Sequence, residues 1–145
     1  MKRSTVLLIA FAFITPIFLT SCEEPENQII GLWRLLSIEE TYSEDGEVRG
    51  IEARYYSDDE LIYWEFMDQS LYIYEGEDKE LEQTFSWIIR GGEELLITSD
   101  SPSEDELEIL TLTRKEMILM AEYIQTFNNT IAVREMRYIF ERVED

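Results

Sequence analysis

Hydrophobic and polar residues alternate along most of the chain beyond residue 30, in short segments. Trp64 and Phe66 lie two positions apart, and so do Phe85 and Trp87. A period of two places such side chains on one face of a β-strand, whereas a helix repeats about every 3.6 residues. The segments are also rich in aromatic and β-branched residues, which favour strands. The pattern therefore predicts an almost entirely β-protein.

The alternation predicts eight strands, separated by segments of turn-forming residues. Their bounds are Gly31–Thr41, Leu61–Met67, Leu71–Glu75, Leu81–Ile89, Glu94–Ser99, Leu107–Thr113, Met117–Gln125 and Thr130–Val143. The even-numbered links are tight, and the odd-numbered links are generally longer. Because odd and even links of an antiparallel meander lie at opposite ends of the sheet, we expect one end closed by hairpins and one end ringed by loops.

Eight antiparallel strands lose their free edges when the sheet closes on itself. We therefore predict an all-β fold over residues 29–145, an eight-stranded antiparallel up-and-down barrel, with a β-sandwich as the alternative. The first link, from Tyr42 to Glu60, is long enough to hold a short helix or an extra hairpin.

The N-terminal segment has the pattern of a secretory signal. A basic start precedes an apolar stretch, residues 6–19, that is too short to span a bilayer as a helix. Leu19-Thr20-Ser21-Cys22 resembles the lipobox of bacterial lipoproteins. The resemblance implies that residues 1–21 are a lipoprotein signal peptide and that Cys22 carries the lipid, palmitate included. Residues 22–28 are then expected to form an acidic tether.

A lipid anchor of this kind implies a place in the bacterial cell envelope. We expect the outer membrane, on its periplasmic or its surface face, and we expect a monomer. Several acyl chains make such an anchor durable, because each buried methylene contributes about 0.8 kcal/mol.

Composition excludes several functions. The chain has 12 Lys and Arg against 32 Asp and Glu, a formal net charge of −20, so nothing would neutralise the phosphates of a nucleic acid. It has no His, which removes His-based zinc sites and Ser-His-Asp triads. Its acidic runs do not fit the spacing of a calcium loop. We therefore expect neither a metal nor a cofactor, and no enzymatic activity.

A series of short motifs points to a family. Gly31-Leu32-Trp33 matches the Gly-x-Trp that opens lipocalins, and Trp64-Glu65-Phe66, the stretch 87–97 and Tyr138-Ile139-Phe140-Glu141-Arg142 follow in order. The series resembles the compact lipocalin-like domains of small bacterial lipoproteins. In lipocalins the tryptophan of the first strand packs across the closed end of the barrel, beneath a basic residue of the last strand. The resemblance therefore implies a closed-end contact between Trp33 and Arg142, beside Gly31.

Six aromatic residues on alternating positions are expected to face the interior of the barrel. They are Trp64, Phe66, Phe85, Trp87, Tyr138 and Phe140. Such residues either fill the barrel as its core or line a cavity for an apolar ligand. The leading hypothesis is non-enzymatic binding of a small, mostly apolar ligand in the barrel. The alternative is a filled barrel that acts as an interaction module and presents acidic loops to a protein or glycan partner.

Overall fold

The computed structural model describes residues 24–99 and 104–144, which form one short helix and nine strands. The helix α1 spans Pro25–Ile29, and the strands are β1 (Gly31–Glu44), β2 (Glu47–Tyr55), β3 (Ile62–Met67), β4 (Ser70–Glu75), β5 (Glu80–Arg90), β6 (Glu94–Thr98), β7 (Glu104–Leu112), β8 (Glu116–Phe127) and β9 (Thr130–Arg142). The predicted signal peptide and Cys22 lie outside the described residues. Within them, no helix is long and apolar enough to cross a membrane.

Eight of the strands close into an antiparallel barrel. Each strand from β3 to β8 pairs with the strand that follows it, and β1 completes the ring by pairing with both β3 and β9. At the seam, Trp33 of β1 lies opposite Trp64 on one side and Arg142 on the other. The predicted eight-stranded antiparallel barrel is therefore confirmed, and the β-sandwich alternative is wrong.

The first link contains a ninth strand that the alternation did not predict. β1 continues beyond the barrel to Glu44, turns at Asp45 and Gly46, and returns as β2, which pairs only with β1. Asp45 and Gly46 have φ of 48° and 82°, as a two-residue type I′ hairpin requires. Of the two possibilities for this link, the extra hairpin is the one observed.

A second hairpin accompanies the first one beyond the barrel. β8 pairs with β7 only as far as Met120, and then continues beside β9 to a two-residue turn at Asn128 and Asn129. Asp45 joins the two hairpins, since its backbone N–H donates to the carbonyl of Ile131 (2.8 Å) and its carboxylate accepts from the Ile131 N–H (2.9 Å). We call residues 37–55 and 121–137 the extension. The link between β8 and β9 is the seventh of the predicted links and was expected among the longer ones, but it is a two-residue turn.

The helix α1 lies across the closed end of the barrel. Ile29 is fully buried, and its carbonyl accepts a hydrogen bond from the Trp33 indole N–H (2.7 Å). The Arg142 guanidinium stacks on the Trp33 ring, 4.2 Å from its centroid, and donates to the carbonyls of Ile30 (2.8 Å) and Gln28. These donors satisfy carbonyls that the end of a helix leaves without partners. Residues 25–28 are therefore part of a short helix at the closed end, within the segment 22–28 that was expected to form an acidic tether.

Gly31 lets the Arg142 side chain reach these carbonyls. Its φ is +133°, and a Cβ at this position would collide with the Arg142 guanidinium. The contact that the family resemblance implied between Trp33 and Arg142 is present. The glycine of Gly-x-Trp is required because a larger residue would block the Arg142 side chain.

We expect Arg142→Gln to lower the free energy of unfolding by about 2–4 kcal/mol, because two charge-assisted hydrogen bonds and a cation–π contact are lost together. Urea unfolding, followed by circular dichroism, measures the change. Arg137→Gln, an exposed change on the same strand, is the matched control and should alter stability by no more than about 0.5 kcal/mol. Equal losses in the two variants would contradict the assigned role of Arg142.

Candidate functional site at the open end of the barrel

The six predicted aromatic residues all point into the barrel, but they occupy two layers. Phe66, Trp87 and Phe140 are buried in the lower layer, towards the closed end. There the Trp87 indole N–H donates to the carbonyls of Met67 and Ser70 in the turn between β3 and β4 (3.2 Å each). This layer is packed, so these three residues act as core.

The remaining three aromatic residues are only partly buried and form the upper layer. Trp64, Phe85 and Tyr138 pack on the core from the open end. The Trp64 ring centroid is 5.0 Å from that of Phe140 below it and 6.1 Å from that of Tyr138 beside it. Such separations are typical of tilted aromatic pairs. Trp64 thus forms the boundary between a filled lower barrel and an open upper barrel.

Above this boundary lies a cavity of about 190 Å³. Its walls come from seven strands, β3 to β9, and are mostly aromatic or aliphatic. The lining residues are Trp64, Leu71, Ile73, Gln83, Phe85, Ile97, Asp105, Leu107, Tyr123 and Tyr138. The volume corresponds to about six water molecules at ~30 Å³ each. The choice between core and cavity is therefore resolved by layer, with core below and cavity above.

Seven of these ten wall residues were not predicted as site residues, and the three with polar groups among the seven are Gln83, Asp105 and Tyr123. Each continues the inward face of its strand, Gln83 two positions before Phe85 and Asp105 two positions before Leu107, opposite Ile97. The phase of the alternation could have found them. Asp105 precedes the predicted strand that begins at Leu107, whereas Gln83 and Tyr123 lie inside predicted strands but were not among the six aromatic residues chosen as inward candidates.

Tyr138 places a phenol at the mouth of the cavity. Its hydroxyl contacts the Met136 sulfur at 3.9 Å. Burial raises the pKa of the Tyr138 phenol, and Tyr123 and Asp105 raise it further, whereas Arg134 opposes them. Tyr138 is therefore neutral throughout the physiological range and keeps its hydroxyl proton.

The extension continues the inward face of the barrel beyond the mouth. A groove of about 390 Å³ lies there, with Tyr42, Tyr123 and Met136 among its walls, and it shares Tyr123 with the cavity. Beside it Arg134 donates two hydrogen bonds to the Glu40 carboxylate (2.6 and 2.8 Å). The paired Arg134 holds the pKa of Glu40 below its ordinary value. The cavity thus opens into a partly aromatic groove with an ion pair at its side.

A larger cleft of about 490 Å³ lies outside the barrel wall, between the end of β2 and the hairpin joining β4 to β5. Carboxylates dominate its lining: Asp59, Glu60, Glu75, Glu77, Asp78, Glu80 and Glu82. Among the described residues, no group of three or more carboxylates comes together in a way that could hold a metal ion. The cleft is an exposed acidic surface, and the barrel cavity is the better candidate site.

Comparisons with known proteins give structural likeness without sequence likeness. No family model matches the chain, and no curated protein matches it. It is similar to apocrustacyanin C2 (15% identity, TM-score 0.45), a deswapped triple mutant of bovine odorant binding protein (12%, 0.43) and the bovine lipocalin allergen Bos d 2 (12%, 0.44). The matches cover 82%, 81% and 83% of this chain and 63%, 76% and 76% of those chains, so the chain spans less than two thirds of apocrustacyanin C2. The fold assignment itself rests on the strand pairing.

We expect Tyr138→Phe to remove a phenolate that forms only above pH 10, the ordinary pKa of tyrosine. Because the folded state raises this pKa, the stabilisation from Tyr138 is complete below pH 10 and is lost as pH rises above it. The free energy of unfolding should therefore fall less steeply above pH 10 in the variant than in the wild type. Tyr55→Phe, an exposed change on β2, is the control and should follow the wild type. Coincident curves for wild type and Tyr138→Phe would contradict this prediction.

Proposed function

We propose that this protein binds a small, mostly apolar ligand in the cavity at the open end of its barrel, without changing it chemically. The observation that carries the proposal is the unfilled upper layer, a space of about 190 Å³ walled by seven strands above a fully packed lower layer. A cavity walled mainly by apolar and aromatic side chains with a few polar groups is the usual form of a small-molecule site.

Burial of apolar surface supplies the affinity in this proposal. A ligand that enters the cavity contacts Trp64, Phe85 and Leu107, and each Å² of apolar surface removed from water contributes about 25 cal/mol. Because the walls belong to paired strands of a closed barrel, the site is formed before the ligand arrives. Little ordering entropy then opposes binding.

The chemistry of the lining favours binding over catalysis. The ionisable groups in the wall are Asp105, Tyr123 and Tyr138. Among the described residues, the wall contains no serine, threonine, cysteine or lysine that could act as a nucleophile beside a base. The polar groups in the wall are therefore suited to orienting a ligand.

The proposal includes a lipid anchor at Cys22, which holds the protein in the bacterial cell envelope, at the outer membrane. Its support is the lipobox-like sequence together with the position of the described N-terminus. Glu24 precedes α1, which lies on the closed end of the barrel. Pro25 of α1 is close to Gly92 in the turn between β5 and β6, since a Cβ atom added at Gly92 would lie 3.9 Å from the Pro25 ring. A lipid at Cys22 would hold the closed end near the membrane and direct the cavity away from it.

A second candidate function is an interaction module, and the extension favours it. Several large apolar side chains of its two hairpins are exposed, with Ile51 72%, Ile124 62% and Phe127 75% accessible. Exposed apolar side chains gathered in one region often mark a contact surface for a partner. In this alternative the extension contacts a protein or glycan, and the barrel cavity has no role.

We expect the neutral fluorophore phenylnaphthylamine to bind with increased emission and to be displaced by tert-butylbenzene. Gln83→Trp should weaken this binding by at least about tenfold, because the larger side chain fills the mouth of the cavity. Thr84→Trp adds the same side chain at the next position of β5, on the outer face of the barrel, and is the matched control. Fluorescence titration measures both. Equal binding by the two variants, or no binding by the wild type, would overturn the cavity as the ligand site.

We expect Cys22→Ser to abolish incorporation of labelled palmitate and to release the protein from the membrane fraction of expressing bacterial cells. The reason is that the lipid is attached through the cysteine sulfur, which serine lacks. Labelling followed by membrane fractionation measures both effects, with Ser21→Ala as the control that keeps the cysteine. Continued labelling of Cys22→Ser would exclude the anchor.

A further inference from the structure

In the part of the chain that the structure describes, the cavity wall carries one acidic side chain and no basic one. Asp105 lies on the inward face of β7, paired with Ile97 of β6, and neither Lys nor Arg is among the residues of the wall. A carboxylate at the rim of an apolar site remains partly hydrated while the site is empty. When a ligand excludes that water, the attraction between the carboxylate and a positive charge becomes stronger, because the effective dielectric constant falls.

The other polar feature of the wall is its aromatic faces. Trp64, Phe85, Tyr123 and Tyr138 surround the same space as Asp105. The face of an aromatic ring is the negative side of its quadrupole, and it attracts a cation that lies within about 6 Å of the ring centroid. The rings and the carboxylate therefore favour the same ligand charge.

The surroundings strengthen this preference. Burial is the main cause of the raised pKa of the Tyr138 phenol, and the charges of Tyr123 and Asp105 raise this pKa further. Arg134, the cation that opposes this shift, is held by Glu40 through two hydrogen bonds. The whole chain carries a formal net charge of −20, which raises the local concentration of cations and lowers that of anions.

We propose that the ligand is a small organic ammonium ion, with its positive head between Asp105 and the aromatic walls and its apolar part towards Trp64. This inference rests on the proposed binding function and names the ligand class for the same cavity. The cavity volume of about 190 Å³ limits the enclosed part to roughly the size of a substituted benzene ring. A longer ligand would extend past Tyr123 into the groove of the extension.

Two probes of equal shape test the charge alone. Phenyltrimethylammonium and tert-butylbenzene differ only in whether a nitrogen cation or a neutral carbon lies at the centre of the branched group. We expect the mature wild-type protein to bind the cation at least about tenfold more tightly in a phenylnaphthylamine displacement titration at physiological salt. Asp105→Asn should reduce that preference by about tenfold, because the cation loses more affinity than tert-butylbenzene.

The control variant removes the same charge elsewhere. Asp68→Asn changes an exposed aspartate in the turn between β3 and β4, at the closed end, and should keep the wild-type preference. Tyr123→Leu, at a partly exposed wall position, should weaken the cation more than the neutral probe. Circular dichroism confirms that each variant is folded before the titration.

The outcomes separate this inference from the function on which it rests. If tert-butylbenzene binds as tightly as the cation, or if Asp105→Asn and Asp68→Asn behave alike, the ammonium ligand is excluded and the apolar cavity site remains. If neither probe displaces phenylnaphthylamine and Gln83→Trp has no effect, the cavity function itself is overturned.

Discussion

The contact of Arg142 with Trp33 and α1 determines the arrangement of the closed end. One guanidinium joins the last strand, the first strand and the helical turn before it, since it stacks on Trp33 and donates to the carbonyls of Gln28 and Ile30. Each partner needs the others. The helix carbonyls would lack donors without Arg142, and Arg142 could not reach them past any residue larger than Gly31.

The open end follows from the way the closed end is filled. With Ile29, Trp33 and Phe66 fully buried, the lower barrel has no space left for a ligand. The strands nevertheless continue upwards, and there the inward positions include Gln83 and Asp105, which cannot pack as core. A barrel with one packed end and one polar-edged end offers a single mouth, which the position of α1 directs away from the N-terminus of the described chain.

The sequence predicts the barrel well because burial imposes a period of two on its strands. It predicts β2 and α1 poorly because neither has that constraint. Every residue of β2 except Gly50 is exposed, so no alternation of buried and exposed positions marks this strand. The local signal for β2 is the Asp45-Gly46 turn that precedes it. The helix α1 has five residues, fewer than two turns, and its stability comes from distant donors on Trp33 and Arg142. Such long-range contacts leave no local pattern.

The alternation of apolar and polar residues also explains why only part of the candidate site was predicted. Alternation identified Trp64, Phe85 and Tyr138 because apolar inward residues stand out against polar outward ones. It passed over Asp105 and Gln83, since a polar residue on an inward position interrupts the pattern by which inward positions are recognised. A polar group buried without a partner costs free energy, so a stable core would exclude both residues. Both side chains are exposed, so their presence on the inward face shows that the upper barrel is open to water. The interruptions in the alternation, more than the alternation itself, therefore mark the site.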